Sequence, residues 1–149
     1  VYVTNTVDGT VSVIDGSTRN VTATVTVPGA TNVAADPGTH TVYVSNMNDG
    51  DNSVSVIDAS TRTVTGTVPL GKNPAGVAIG VAVDPGTQTV YVINDGDNDG
   101  TVSVIDGSRR TVTATVPLGT EPGVVAVDPS THTVYVTAKD NAVSVIESR

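Results

Sequence analysis

"VYVSNMNDGDNSVSVIDASTRTVTGTV" occupies residues 42–68, and its pieces recur along the whole 149-residue chain. "VYVTN" stands at 1–5, "VYVSN" at 42–46, "VYVIN" at 90–94 and "VYVTA" at 134–138. Each is followed by "VSVID" at 11–15, 54–58 and 102–106, or by "VSVIE" at 143–147. Next come "VTATV" at 21–25, "VTGTV" at 64–68 and "VTATV" at 112–116, then segments ending in Asp-Pro, "NVAADP" at 32–37 and "VAVDP" at 81–85 and 125–129. In each, an apolar residue alternates with Tyr, Ser or Thr, the pattern of a half-buried antiparallel strand. Four short strands repeating every 40-odd residues is the period of a β-propeller blade.

The connections agree with that reading. "DPGTHT", "DPGTQT" and "DPSTHT" place Asp and Pro at the first two positions of a tight turn, where Asp bonds back to the backbone and Pro presets φ. "DGSTR", "DASTR" and "DGSRR" join the VSVID and VTATV segments with the same small polar chemistry. Among these, Arg19, Arg62 and Arg109 read as one recurring position that pairs with carboxylates or lies over Val.

Composition restricts the class further. The chain lacks Phe, Trp and Cys and has one Met and four Tyr, so Val supplies most of the interior. Branched Val and Thr favour pleated backbone, which makes the fold all-β. A net charge of −8 and a pI near 4.3 argue against nucleic acid and anionic membrane surfaces as partners. Without cysteine there is no disulfide, thiolate nucleophile or Cys-based zinc site. No stretch is long and apolar enough to insert in a membrane. Because the sequence begins on a strand, a trimmed or mature fragment is expected.

"VYVTN…GTVSVID…TVTATV" together with "GVVAVDP" resembles the YVTN family of β-propeller repeats, found in bacterial and archaeal surface-layer and other secreted proteins. The resemblance covers essentially the whole chain. It implies an extracellular or cell-surface location and blades in which the Asp-Pro strand is innermost, the Tyr strand second, VSVID third and VTATV outermost. Blade units then fall at about 1–31, 32–74, 75–121 and 122–149, giving fourteen strands, or about three and a half blades. Rings of this architecture use about four to eight blades. The array is therefore expected to be part of a longer propeller or a ring completed by association, with a homo-oligomer the preferred form for an isolated chain.

Variation between repeats is concentrated in 26–32, 47–53, 69–80, 95–100 and 117–123, loops that should open on one face. Binding sites of repeat proteins usually sit on such a face. Lys72, Asn73 and Glu121 lie there and are the candidate ligand-facing residues. "NDGDNDGTVSVID" at 94–106 adds a candidate metal set: Asp95, Asp97 and Asp99 alternate before Gly100, and Asp106 follows eleven residues after Asp95. Alternating oxygen ligands with a Gly at the sharp turn suit calcium. Two observations weaken it: the flanks are strands, and Asp106 occupies the position of Asp15 and Asp58 in loops without the motif. A solvated acidic hairpin is the plainer alternative.

His40 and His132 share a repeat position with Gln88 and read as exposed turn residues. No GxSxG, phosphate loop or HExxH is present. The expected function is thus a non-catalytic binding or structural module with a protein or glycan partner and no cofactor, calcium aside. The alternatives are a calcium-dependent adhesion module using 94–106 or a fragment of a lactonase- or quinoprotein-like propeller enzyme.

Overall fold

A computed structural model describes residues 1–47, 52–71, 77–95, 100–119, 121–139 and 141–147. These form fourteen strands in four antiparallel sheets. The first sheet contains β1 (Tyr2–Asn5), β2 (Thr10–Ile14) and β3 (Val21–Thr26). The second has β4 (Ala30–Asp36), β5 (Thr41–Asn46), β6 (Ser53–Asp58) and β7 (Thr63–Pro69). The third repeats that order with β8 (Val77–Asp84), β9 (Thr89–Asp95), β10 (Thr101–Asp106) and β11 (Thr111–Pro117). The fourth has β12 (Pro122–Asp128), β13 (Thr133–Ala138) and β14 (Val143–Glu147).

Neighbouring sheets meet along their first strands: β4 packs on β8 and β8 on β12, while the outer strands β7 and β11 barely touch. The sheets therefore fan out from the Asp-Pro strands, as blades do around an axis. β1 takes over the contact with β4 in the first sheet, where no Asp-Pro strand precedes it. β4 begins at Ala30, two residues before the repeat segment read from sequence.

Strand alternation decides what each face buries. Within the second sheet, Val42, Val44 and Ile57 face the first sheet and pack with Val11, Val13 and Val25. Tyr43, Val54, Val56 and Val68 leave by the opposite face and meet Val90 and Val92 of the third. The same exchange joins Tyr91 and Val102 to Val134 and Val136 at the third joint. Each buried Val side chain contributes roughly 1.5–3 kcal/mol relative to exposure.

All three VSVID–VTATV pairings carry a bulge, at Val13/Ile14, Val56/Ile57 and Val104/Ile105. A bulge leaves ladder groups unpaired. Here the hydroxyls of Thr22, Thr65 and Thr113 donate to the carbonyls of Val13, Val56 and Val104. The first Thr of each VTATV or VTGTV segment thus repairs the irregularity.

The tight turns close on residues in the left-handed region. Arg19, Arg62 and Arg110 have φ of 60°, 59° and 57°, and His40, Gln88 and His132 have φ of 54°, 55° and 55°. Arg110, not Arg109, is therefore the equivalent of Arg19 and Arg62; Arg109 instead pairs with Asp106 at 3.2 Å. A side chain in this conformation costs on the order of 1–2 kcal/mol, which Gly would avoid. What the side chains do there explains their presence. Arg62 donates to the Thr22 carbonyl of the first sheet, and Arg110 donates to the Thr65 carbonyl of the second. His132 donates from Nδ1 to Asp84 Oδ2 of the third sheet at 2.7 Å. These three turns reach back to the preceding sheet and fasten it, so His132 is an inter-sheet contact rather than a free turn residue.

Packing at the joints also separates glycines that look alike in sequence. A Cβ at Gly107 would stand 2.6 Å from the Tyr43 hydroxyl oxygen and 2.7 Å from the Gln88 carbonyl oxygen, whereas one at Gly16 meets nothing within 4 Å. Gly107→Ala should lower the urea unfolding free energy by about 1–3 kcal/mol through overpacking. Gly16→Ala, at the same repeat position, should stay within about 0.5 kcal/mol of the parent.

Candidate binding surface

The strand registers divide the molecule into two ends. Asn46 pairs with Ser53 and Ala30 with Asn46, while Asp36 and Asp58 lie opposite Thr41 at the other extremity. The variable connections accordingly share one end, and the Asp-Pro and Asp-Gly-Ser turns share the other.

At the turn end the carboxylates are consumed locally. Asp15 Oδ1 accepts from the Ser17 hydroxyl at 2.6 Å and from the amides of Ser17 and Thr18. Chiefly through that hydroxyl and the Thr18 amide, its pKa is held down at about 2. Asp58 is lowered by the Thr61 and Ser60 amides, Asp106 by the Ser108 hydroxyl and the Arg109 amide, and Asp128 by the Ser130 hydroxyl and amide. Asp84 is fully buried. Burial pushes its pKa up, but hydrogen bonds from His132, Thr87 and Gly86 outweigh that and hold it below the usual carboxylate range.

The candidate metal set does not survive this division intact. Asp95 ends β9 at the loop end, beside Asn94, which pairs with Thr101. Asp106 pairs with Thr89 at the turn end, with all of β10 between, a separation of roughly 20 Å at strand rise. One calcium ion with ligands about 2.5 Å away cannot join them. Asp106 caps its own turn instead. Its equivalence with Asp15 and Asp58 was the sequence signal for that role. Asp97 and Asp99 lie outside the described residues, as do Lys72 and Asn73. Among the described residues, no group of three His, Asp or Glu is placed to hold a metal ion.

At the loop end the structure joins Glu121 to a residue that the sequence did not single out. Lys139 Nζ donates to Glu121 Oε2 at 2.7 Å, and both side chains are largely exposed. The Glu121 hydrogen bond and charge raise the Lys139 pKa, and the charge of Asp95 adds to the effect. Lys139 and Glu121 thus form an exposed ion pair of the fourth sheet within the field of Asp95 of the third. On the opposite face of the third sheet, a cleft of about 200 Å³ opens toward the second sheet, lined in part by Asn52, Asn94, Thr101, Ser103 and Thr115. Asn94 Nδ2 donates to the hydroxyls of Thr101 and Ser103, and its buried Oδ1 has no partner. Asn46 repeats this arrangement with Ser53 and Ser55. The final Asn of the Tyr strand therefore ties two hydroxyls of the next strand and supplies the polar floor of this end. A larger cleft of about 410 Å³ lies at the turn end, between β11 and the outer edge of β14, and is lined in part by Thr113, Val116 and Ile146.

No family model matches the chain, and no curated protein does. Solved structures match its fold. Hydrazine synthase from Kuenenia stuttgartiensis superposes with a TM-score of 0.84 over 98% of this chain and 42% of that one, at 23% identity. The propeller of Dos1 superposes with a TM-score of 0.69 over 93% of this chain and 36% of that one, at 14% identity. The chain thus spans less than half the length of either structure. At these identities the likeness establishes architecture, and with the four fanned sheets it makes the chain a partial β-propeller.

Two measurements check the division between the ends. Because the folded pKa values of Asp15, Asp58, Asp84, Asp106 and Asp128 are lowered, their stabilisation is present above the unfolded value of about 3.9 and is lost as pH falls through the folded values. The urea midpoint should be flat from neutral pH to about pH 5, then fall steeply between about pH 4 and 2. Asp84→Asn should be less stable than the parent at neutral pH and decline less steeply in acid. In a calorimetric calcium titration of metal-stripped protein, Asp106→Asn should behave as the parent does, since that carboxylate is committed to its turn.

Proposed function

We propose that this chain is a YVTN-type propeller module of a secreted or cell-surface protein, non-catalytic, which engages a protein or glycan through its variable end. The observation that supports this reading is the contrast between the two ends. At the turn end, equivalent carboxylates repeat the same self-contained hydrogen bonds. At the loop end, connections differ from repeat to repeat, and Lys139 and Glu121 form an exposed ion pair with the charge of Asp95 felt at the ammonium. Groups engaged in their own turns are poorly placed to recognise anything else, whereas exposed charges of both signs and a polar cleft at the same end offer directional contacts to a hydroxylated or charged surface.

The double variant Glu121→Lys with Lys139→Glu tests the reading, because it retains an ion pair while inverting the charges that a partner meets. Binding would be measured by biolayer interferometry against purified cell-envelope polysaccharide and, separately, surface-protein fractions. The expected result is saturable binding to one fraction, weakened at least ~10-fold in the double variant and unaffected by Gly16→Ala at the turn end. Binding that ignores the loop-end inversion, or turnover of a lactone panel by the parent protein, would overturn the proposal.

A further inference from the structure

The joint between the second and third sheets differs from the joint before it at two positions. Where the first joint carries Ala23 and Ala59, both packed against its core as Tyr2 is, the same repeat positions are Gly66 and Gly107. Each missing methyl group makes room for a polar side chain. A Cβ at Gly66 would stand 3.0 Å from Arg110 Nη1, and one at Gly107 would stand 2.6 Å from the Tyr43 hydroxyl oxygen. Arg110 and Tyr43 both line a cleft of about 250 Å³, together with Thr41 of the second sheet and Gln88, Gly107 and Ser108 of the third. Both sheets are four-stranded and each is packed on both faces, so the cleft belongs to a complete joint.

Its polar groups are not the carboxylates that the turns consume. The Tyr43 hydroxyl belongs to a residue only 4% exposed and has no hydrogen-bond partner among the described residues. Arg110 spends Nη1 on the Thr65 carbonyl, leaving the rest of its planar fork of donors. The Gln88 side-chain amide adds donors and an acceptor. Ser108 and Thr41 give their protons to Asp106 and to the Thr39 carbonyl, so toward a ligand their oxygens accept. Charge decides between ligand classes. Burial raises the Tyr43 pKa, and the charge of Asp36 raises it further, ahead of the opposing Arg110, with Asp106 acting in the same sense as Asp36. The potential at the hydroxyl is therefore negative despite the guanidinium. A carboxylate or phosphate would meet that potential and a cation would meet Arg110, whereas a neutral group that both donates and accepts meets neither penalty.

We propose that this cleft binds one neutral pyranose residue, with Arg110 and Tyr43 donating to adjacent ring hydroxyls and Ser108 and Thr41 accepting from them. Its volume lies just below the range of about 300–1,000 Å³ usual for drug-sized ligands, which suits a single ring. The site lies at the turn end and is independent of what the variable end engages.

Amide chemical shifts of isotope-labelled protein, followed during titration with methyl β-glucoside, methyl β-galactoside and methyl α-mannoside, test it. Saturable shifts are expected with at least one glycoside at Gln88, Gly107 and Ser108, with a dissociation constant on the order of millimolar for so small a ligand. Tyr43→Phe deletes a hydroxyl that has no bond to lose, so it should keep the parent's urea midpoint while weakening that binding at least ~5-fold. Gly66→Ala, which restores the first joint's residue beneath Arg110, should weaken it by a similar factor. The Glu121→Lys, Lys139→Glu double variant at the loop end should bind the same glycoside as the parent does. Absence of saturable shifts with every glycoside, shifts confined to the loop end, affinity unchanged in Tyr43→Phe, or tighter binding of acetate at the same amides would each overturn the proposal.

Discussion

A sheet that must bury both of its faces governs this molecule. Antiparallel sheets usually leave one face to water, and their strands then alternate apolar with polar residues. In β5, Val42 and Val44 serve one neighbour while Tyr43 serves the other, and in β6 Val54 and Val56 are set against Ile57 in the same way. Branched residues on both faces keep the spacing between sheets narrow, and Tyr is the one large side chain used, once per repeat. Close approach then imposes secondary demands. Gly107 must lack a side chain beneath the Tyr43 hydroxyl, and the Nδ2 groups of Asn46 and Asn94 are taken up within the sheet by paired hydroxyls.

The two extremities of the strands solve different problems. At the turn end the chain accepts left-handed residues that still carry long side chains, because Arg62, Arg110 and His132 hold the preceding sheet. At the other extremity Thr4 Oγ1 donates to the Thr31 carbonyl and Thr31 Oγ1 to the Ala78 carbonyl, joining the first three sheets, while connection length varies from repeat to repeat. Sheets fastened to one another at both extremities are what permits diversity in the connections, a division common to scaffolds that present loops.

Much of the fold was legible because it is carried by local pattern. The fourteen strands, their order from the Asp-Pro strand outward and the single face of variable loops all follow from alternation and turn chemistry. What escaped depends on pairing across distance. Asp95 and Asp106 look like two ends of one loop when counted along the chain, yet β10 lies between them and carries them apart. His132 and Asp84 are 48 residues apart, and only the stacking of one sheet on the next brings them into contact. Arg109 and Arg110 are adjacent in sequence, and the fifth position of DGSRR, aligned with DGSTR and DASTR, was the signal for Arg110 that the structure confirms. Lys139 was missed because the fourth Tyr strand ends in Ala138 rather than Asn, which hid the loop that follows from comparison with its counterparts.

Unequal flanking has a consequence for how the chain comes apart. The second and third sheets are each clamped on both faces, whereas the first and fourth are held on one. In a linear array whose stability is a sum of unit and neighbour terms, opening begins where one neighbour term is lacking. In an isolated copy of this stretch of chain, thermal motion should therefore open the first and fourth sheets before the others, leaving amides of β5, β6, β9 and β10 slowest to exchange with solvent. The four tyrosines lie in register along that path, with Tyr43 and Tyr91 sealed inside joints and Tyr135 already wet. In a chain without tryptophan, their emission would follow the advancing front one sheet at a time.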